Sequence, residues 1–129
     1  MKIDNAFGIH EQSLQLRARR AEVLASNIAN ADTPGYKARD FDFNAMLRSE
    51  MTEPVRMAAT DNQHIQMESG TVPPSTMLYR TPNQPNLDGN TVDTQLEHTE
   101  FAANAMEYSA SLNFLSGKIK GLMTAIKGQ

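Results

Sequence analysis

The sequence predicts a mainly α-helical protein, in which long N- and C-terminal helices form a coiled-coil pair beside a small irregular middle segment. All six prolines lie between residues 32 and 90, so the helix-breaking residues are confined to the middle of the chain. The C-terminal segment also repeats apolar residues at alternating spacings of four and three. We expect one helix over residues 1–31 and another over 91–129, together forming a helical assembly domain, with a Pro-rich middle segment over 32–90.

The C-terminal helix carries an uninterrupted apolar stripe, which is typical of a helix packed lengthwise on another helix. Its expected helix-pairing positions are Phe101, Ala105, Tyr108, Leu112, Leu115, Ile119, Leu122 and Ile126. Asn90 or Thr91 is the expected N-cap, because both side chains can accept hydrogen bonds from the first turn. Acidic residues near this start and lysines near the end suit the helix dipole.

The N-terminal helix carries a slimmer stripe with the same rhythm, interrupted once by Glu11. Its expected helix-pairing positions are Phe7, Leu14, Ala18, Ala21, Ala25 and Ile28. A second stripe of Ile9, Leu16 and Val23 lies about 200° around the helix at 100° per residue. We expect these three residues to contact neighbouring subunits. The alternative is that an element of the middle segment covers them.

Helix length also indicates assembly. At 1.5 Å per residue the two helices would span roughly 40 and 50 Å. A compact chain of this size has a diameter of about 36 Å, so such helices would project from it. Projecting helices with apolar stripes require neighbours, and polymerisation is the simplest way to provide them.

The middle segment is expected to hold only short elements. Residues 43–51 could form a short helix, and residues 55–59 a strand of a β-hairpin. The proline-containing stretches that follow are expected to be extended.

Composition argues against several functional classes. The chain has no Cys, which excludes thiol catalysis and cysteine metal sites, and its three His are too scattered to suggest a ligand set. Phosphate-binding and nucleophile motifs are absent, so we expect neither an enzyme nor a cofactor or metal. The net charge is −3, which weighs against nucleic acid as a partner. No apolar run is long enough to span a membrane, and the first residues lack the apolar stretch of a cleavable signal.

The end of the first helix has a distinctive motif in residues 27–36. Pro34 disfavours helical geometry at Thr33, so the helix should stop near Ala31 or Asp32. Pro34 and Gly35 suit the centre of a type II turn, in which Gly35 takes a positive φ. The expected turn-forming residues are Asn27, Asn30, Thr33, Pro34, Gly35 and Tyr36. On local physics alone, this motif is equally well explained as a simple helix stop.

The motif and its context resemble the bacterial flagellar rod and hook family. The Asn27–Tyr36 motif follows an amphipathic N-terminal helix, as in that family. Residues 79–80 and 84–93, leading into the second helix, are similar to its proximal-rod branch. Residues 57–61 and 64–65 add a third match in the same order, so the resemblance covers nearly the whole chain.

The resemblance implies a structural subunit of the flagellar basal-body proximal rod, located in the periplasmic space. Such subunits polymerise through their terminal helices into a hollow, torque-transmitting tube. Implied partners are copies of the chain, the rod proteins FlgC and FlgF, the ring-to-rod adaptor FliE and the flagellar type III export apparatus, which reads no cleavable signal. Neither nucleic acid nor membrane insertion is implied.

Two other classes are compatible with long amphipathic helices. A helical export chaperone or adaptor would remain discrete in solution. A coiled-coil nucleic-acid binder would use the cluster Arg17, Arg19 and Arg20, although flanking Glu11 and Glu22 favour a solvated or intersubunit face for it.

Overall fold

The computed structural model describes residues 3–51, 77–84 and 86–128. It confirms a mainly helical fold with long terminal helices and a small middle segment. Within the described residues, the elements in chain order are α1 (Ile3–Ala29), β1 (Arg39–Asp40), α2 (Phe43–Met51), β2 (Leu78–Tyr79) and α3 (Thr94–Lys127).

α1 ends two residues before the expected stop. The chain turns tightly after α1, and the N–H of Asn30 donates to the carbonyls of Ser26 and Asn27. The Asn30 side chain also donates to the Ser26 carbonyl at 2.8 Å. The amide therefore competes with the helical backbone and ends the helix before the proline is reached.

α3 begins later than expected, because Asp93 is its N-cap and accepts a bond from the N–H of Leu96 at 3.2 Å. The expected caps are engaged elsewhere. The side chain of Asn90 bonds the end of α1, and the Thr91 hydroxyl accepts from the N–H of Ala38. At the other end, Gly128 closes α3 with φ 68°.

α1 and α3 form an antiparallel hairpin. Contacts closer to the N-terminus of α1 lie closer to the C-terminus of α3. Asn27 bonds Glu97, Arg20 bonds Glu100, and Asn104 donates to the Arg17 carbonyl. Fourteen residues separate Arg17 from the start of α1, whereas twenty-three separate Asn104 from the end of α3. α3 therefore runs about 14 Å further than the described part of α1.

The short helix α2 has the bounds that the sequence predicted, and it packs on α1. Leu16, Phe41 and Met46 form a buried cluster. Val23, Phe43 and Leu47 pack against that cluster. An element of the middle segment thus covers the second stripe of α1, which was the alternative to contacts between subunits.

This arrangement corrects the role expected for two of the three residues in that stripe. Leu16 is 2% exposed, and Val23 packs on the same cluster, so both are covered within the chain. Ile9, at 40% exposure, keeps the largest surface that a neighbour can contact, and Val23 is only partly buried.

A two-stranded antiparallel sheet confirms the expected hairpin, but with different residues. Arg39 pairs with Tyr79, and Asp40 with Leu78. The strand predicted over residues 55–59 lies outside the described residues. The two strands are too short to be recognised from alternation of side chains, which requires at least four residues.

Candidate functional site: the closed end of the hairpin and its apolar side

Asn27 sits at the centre of the closed end of the hairpin and is fully buried. Its side-chain amide pairs with the backbone of Arg39 in both directions: Nδ2 donates to the carbonyl at 2.7 Å, and Oδ1 accepts from the N–H at 3.1 Å. Nδ2 also donates to Oε2 of Glu97 on α3. One amide therefore joins α1, β1 and α3.

The predicted type II turn is present at Thr33–Tyr36. The N–H of Tyr36 donates to the Thr33 carbonyl at 3.3 Å, and Gly35 has φ 71°. The Thr33 hydroxyl donates to Oδ1 of Asn30, and the Tyr36 hydroxyl reaches Asn27 and Ser26. The motif is more than a helix stop, since its side chains bond one another and hold the reversing chain.

Asn90 closes the same end from the segment that precedes α3. Its Nδ2 lies 3.0, 2.9 and 2.8 Å from the carbonyl oxygens of Asn30, Ala31 and Thr33. Asn90 is 1% exposed. The sequence predicted Asn90 as a cap of α3, whereas it caps the end of α1. The contact could not be predicted, because Asn90 lies 59 residues from Ala31 in the sequence.

The two family motifs lie against each other at this end. The N–H of Gly35 donates to the Asp88 carbonyl at 2.9 Å, and the N–H of Thr91 donates to the Tyr36 carbonyl at 3.0 Å. Gly89 also has a positive φ, and a Cβ there would lie 3.8 Å from the Cα of Gly35. Both glycines lie at the point where the two loops cross.

A partly buried ion cluster fixes the middle segment to the hairpin. Arg20 donates two bonds to Asp40, at 3.1 and 3.0 Å, and a third to Glu100. Arg80 binds Asp40 at 2.7 Å, and its Nε lies 3.1 Å from Oε1 of Glu97. That last contact is an ion pair that does not meet hydrogen-bond geometry. Sequence reasoning missed this cluster, because its members come from four separate elements.

Within the cluster, Arg20 stays charged. Hydrogen bonding to Asp40 raises the pKa of Arg20 above its usual value, despite the opposing effect of burial. Glu97 has no exposed surface, and its neighbours Arg80 and Asn27 compensate for the loss of water around its carboxylate.

Two of the three arginines in the α1 cluster, Arg17 and Arg20, are engaged within the chain, which corrects the solvated or intersubunit face expected for them. Arg17 forms an ion pair with Glu107 and lies over the Phe43 ring at 4.2 Å. Arg20 belongs to the partly buried ion cluster. Two of the three arginines that could bind a nucleic-acid backbone are therefore already paired with acidic residues of the chain.

The predicted helix-pairing residues are half-buried or exposed, and the hydrogen bonds between α1 and α3 come from other residues. Phe7, Leu14, Ala21, Ile28 and Leu115 are half-buried. The remaining nine are exposed: Ala18, Ala25, Phe101, Ala105, Tyr108, Leu112, Ile119, Leu122 and Ile126. The polar residues that bond across the two helices are Arg17, Arg20, Asn27, Glu97, Glu100, Asn104 and Glu107.

The two predicted stripes fall on one side of the hairpin. Viewed from one end, successive residues turn clockwise on α1 and anticlockwise on the antiparallel α3, by about 100° each. The direction from each helix to its partner serves as the reference. The α1 stripe is rotated from it by roughly a quarter turn and the α3 stripe by roughly 50°, and both rotations lead to the same side of the hairpin. Arg20, Glu100 and Asp40 meet on the opposite side, where α2 also packs. We call the side with the two stripes the apolar side.

Within residues 3–51, 77–84 and 86–128, no group of three His, Asp or Glu side chains is placed to hold a metal ion. Over the same residues, no helix combines the length and apolarity needed to cross a membrane.

These features define a helical-hairpin protein, whose closed end is held by two loop motifs and whose apolar side is left exposed by the described residues. Residues 8–37 match the sequence model of the family described as flagella basal body rod protein. The matched region includes the Asn27–Tyr36 motif.

Full-length relatives agree with that match. The chain is 48% identical to flagellar basal body rod protein FlgB of Escherichia coli (strain K12), over 98% of this chain and 96% of that protein. It is 47% identical to FlgB of Aeromonas hydrophila, over 100% and 98% of the two chains. It is 49% identical to FlgB of Cereibacter sphaeroides, over 95% and 94%. The chain therefore belongs to the flagellar basal body rod proteins of the FlgB type, and is a component of that rod.

Proposed function

We propose that the chain is a structural subunit of the proximal rod, which polymerises through its terminal helices into a hollow, torque-transmitting tube. The observation that carries this proposal is the apolar stripe of α3, which the described residues leave exposed. Phe101, Tyr108, Leu112, Ile119 and Leu122 are each between 37% and 45% exposed, and Ile126 is 80% exposed.

The energetics of that stripe favour a partner. Complete burial of a large apolar side chain is worth about 1.5–3 kcal/mol. Six such side chains, each partly exposed along one helix, leave several kcal/mol of hydrophobic stabilisation available to an assembly contact. An aligned stripe on this scale differs from the scattered apolar residues found on any protein surface.

The rigid closed end supports the torque-bearing part of the proposal. Buried amides and ion pairs join α1, β1, β2 and α3, so a load applied to the middle segment passes directly to both helices. Such networks favour one fixed geometry over alternatives, which suits a part that must transmit rotation.

The proposed partners are further copies of the chain, FlgC, FlgF and FliE, with delivery by the flagellar type III export apparatus and no cleavable signal. The proposed location is the part of the rod that crosses the periplasmic space. The exposed apolar stripe of α3 is consistent with a structural, non-enzymatic role.

Leu112→Asp tests this proposal, with Met106→Asp as its matched control. Leu112 lies in the stripe at 45% exposure, whereas Met106 is 74% exposed on the outer side of α3. We expect Leu112→Asp to abolish motility in a strain lacking its own copy of the gene, and Met106→Asp to retain it. Export of both variants, measured by immunoblot of the periplasmic fraction, should remain.

Electron microscopy of basal bodies from the same strains completes the test. Rods carrying the wild-type chain should show it as a ring of subunits around a channel. Normal motility of the Leu112→Asp strain would refute assembly through this stripe. A wild-type chain that stays discrete at all concentrations, and is absent from isolated rods, would favour the export-chaperone class instead.

A further inference from the structure

We propose that Asp88 is this chain's site of spontaneous isoaspartate formation, and that closure of the hairpin end suppresses the reaction. Asp88 and Gly89 form the only Asp-Gly pair in the sequence, and no Asn-Gly pair occurs. Aspartate is most reactive before glycine, because glycine has no side chain to hinder attack by its backbone nitrogen. The reaction depends on the fold of one chain and is independent of the proposed function.

The reaction is a rearrangement that needs only water. The backbone nitrogen of Gly89 forms a bond to Cγ of Asp88, and the carboxyl oxygen leaves as water with the amide proton, which closes a succinimide ring. Water then adds to the ring. Breaking the bond from the nitrogen to Cγ restores aspartate, whereas breaking its bond to the α-carbonyl carbon leaves the main chain running through Cβ and Cγ. The two products are isomers of equal mass.

Three hydrogen bonds hold the reacting groups in place. The N–H of Gly89 donates to the Asn86 carbonyl at 3.1 Å, so the attacking nitrogen is engaged. The Asp88 carbonyl accepts from the N–H of Gly35 at 2.9 Å, which fixes the other side of the same peptide plane. Oδ1 of Asp88 accepts from the N–H of Asn90 at 3.1 Å, which fixes the carboxylate. Ring closure requires the peptide plane to rotate toward the carboxylate, and this rotation breaks the bonds.

Neighbouring residues keep this loop closed even though water reaches it. The Asp88 side chain is exposed, so water for the hydrolysis step is at hand. Nζ of Lys37 donates to the Gly89 carbonyl at 2.7 Å, and the buried Asn90 side chain bonds the end of α1. The loop must therefore open before the ring can form, and the rate follows the population of the open loop.

An isoaspartate at this position would block closure of the hairpin end. The rearranged main chain is longer by one carbon atom, and the former Asp88 carbonyl, which accepts from Gly35, becomes part of a side-chain carboxylate. Asn90 is then displaced from the carbonyls that it serves at the end of α1. The modification therefore accumulates in chains whose closed end is open, and it keeps that end open.

Ageing of the full chain in two states tests the protection. Native chain and chain unfolded in guanidinium chloride are incubated at one pH and temperature, and peptide mapping with electron-transfer fragmentation locates isoaspartate. We expect Asp88 to be the main site in the unfolded chain, and to react there at least about ten times faster than in the native chain, because no loop has to open. Equal rates in the two states, or a main site elsewhere, would overturn the proposal.

Two lysine variants separate the loop from general effects of charge. Lys37→Ala removes one bond to Gly89, so native Lys37→Ala should react at a rate between those of native and unfolded wild type. Lys120→Ala, which removes an exposed lysine of α3, should match the native wild type. Equal rates for the two variants would contradict protection by this loop.

The modified chain itself tests the effect on closure. Isomerised chain is separated by chromatography after unfolding and returned to native conditions, where it should unfold at a lower urea concentration than the wild type. An unchanged urea midpoint would show that the closed end tolerates isoaspartate. Asp88→Asn gives a form that mass alone can follow, because ring closure then releases ammonia. Its reaction should also be slower in the native chain, and equal rates in the two states would refute the protection.

Discussion

At the scale of single residues, Asn90 shows how one amide can hold the end of a helix from a distant segment. Helix C-termini leave carbonyl groups without partners, and these are usually satisfied by glycine motifs or water. Here a single buried Nδ2 serves the carbonyls of Asn30, Ala31 and Thr33. The contact ties the end of the first helix to the approach of the last.

We predict that Asn90→Ala lowers the free energy of unfolding by about 2–3 kcal/mol, because buried carbonyls lose their donor. Asn90→Asp should cost more, since a carboxylate would face three carbonyl oxygens. Urea unfolding followed by circular dichroism measures both, and exposed Asn83→Ala is the control. If Asn90→Asp proves as stable as the wild type, the donor role assigned to this amide is incorrect.

Two glycines should respond to alanine with opposite signs. Gly35 has φ 71° with open space around its Cβ position, so Gly35→Ala bears only the backbone strain, about 1–2 kcal/mol. Gly8 lies inside α1, also with open space, and Gly8→Ala should stabilise by about 0.5–1 kcal/mol. Thermal unfolding of both variants tests the pair. A shift of the same sign for both would contradict the assigned conformations.

At the scale of elements, the structure divides α3 into an anchored part and a free part. Near its start, Glu97 and Asn104 are buried against α1. Near its end, Leu122, Met123 and Ile126 are exposed, beyond the start of the described part of α1. Helices of this length depend on tertiary packing for most of their stability in water.

We therefore predict uneven amide hydrogen exchange along α3 in the monomer. Residues 97–110 should exchange at least a hundred times more slowly than residues 118–127, because only the former are held by α1. Exchange of the free part should slow upon assembly. Mass spectrometry of peptic fragments provides the measurement, and uniform protection along α3 in the monomer would contradict it.

The existence of these elements was largely predictable from local pattern. The predicted bounds of α2 match the structure, and α1 ends two residues before its predicted end. The predicted start of α3 was wrong, because Asn90 and Thr91 bond other segments. Apolar periodicity located both stripes but could not give their partners. The pattern records which face is apolar, and it does not record whether that face is covered within the chain or left open.

At the scale of the whole molecule, the hairpin uses polar groups where a simple coiled coil would use apolar ones. Shifting two matching heptad stripes by seven residues preserves their apolar match, so apolar contacts alone specify register weakly. Buried polar pairs fix it, because a shift leaves charges such as Glu97 without partners. Among residues 3–51, 77–84 and 86–128, none covers the apolar side.

We predict that the isolated monomer shows less helix by circular dichroism than the assembled form. The deficit should correspond to roughly the last ten residues of α3, since the remainder is held by the closed end and the ion cluster. The comparison uses one preparation, below and above its assembly concentration. Identical helix content in both states would show that neighbours do not complete the fold.

The sequence by itself determined the helical class, the confinement of irregular structure to the middle, the type II turn at Pro34–Gly35 and the family. Each of these follows from local propensity, from periodicity or from a contiguous motif. Only the tertiary structure decided that α2 covers Leu16 and Val23, that Asn90 closes α1, and that Arg20 and Arg80 meet at Asp40. The physical reason is range: these contacts join residues that are distant in sequence, and their stability depends on shared burial and satisfied hydrogen bonds.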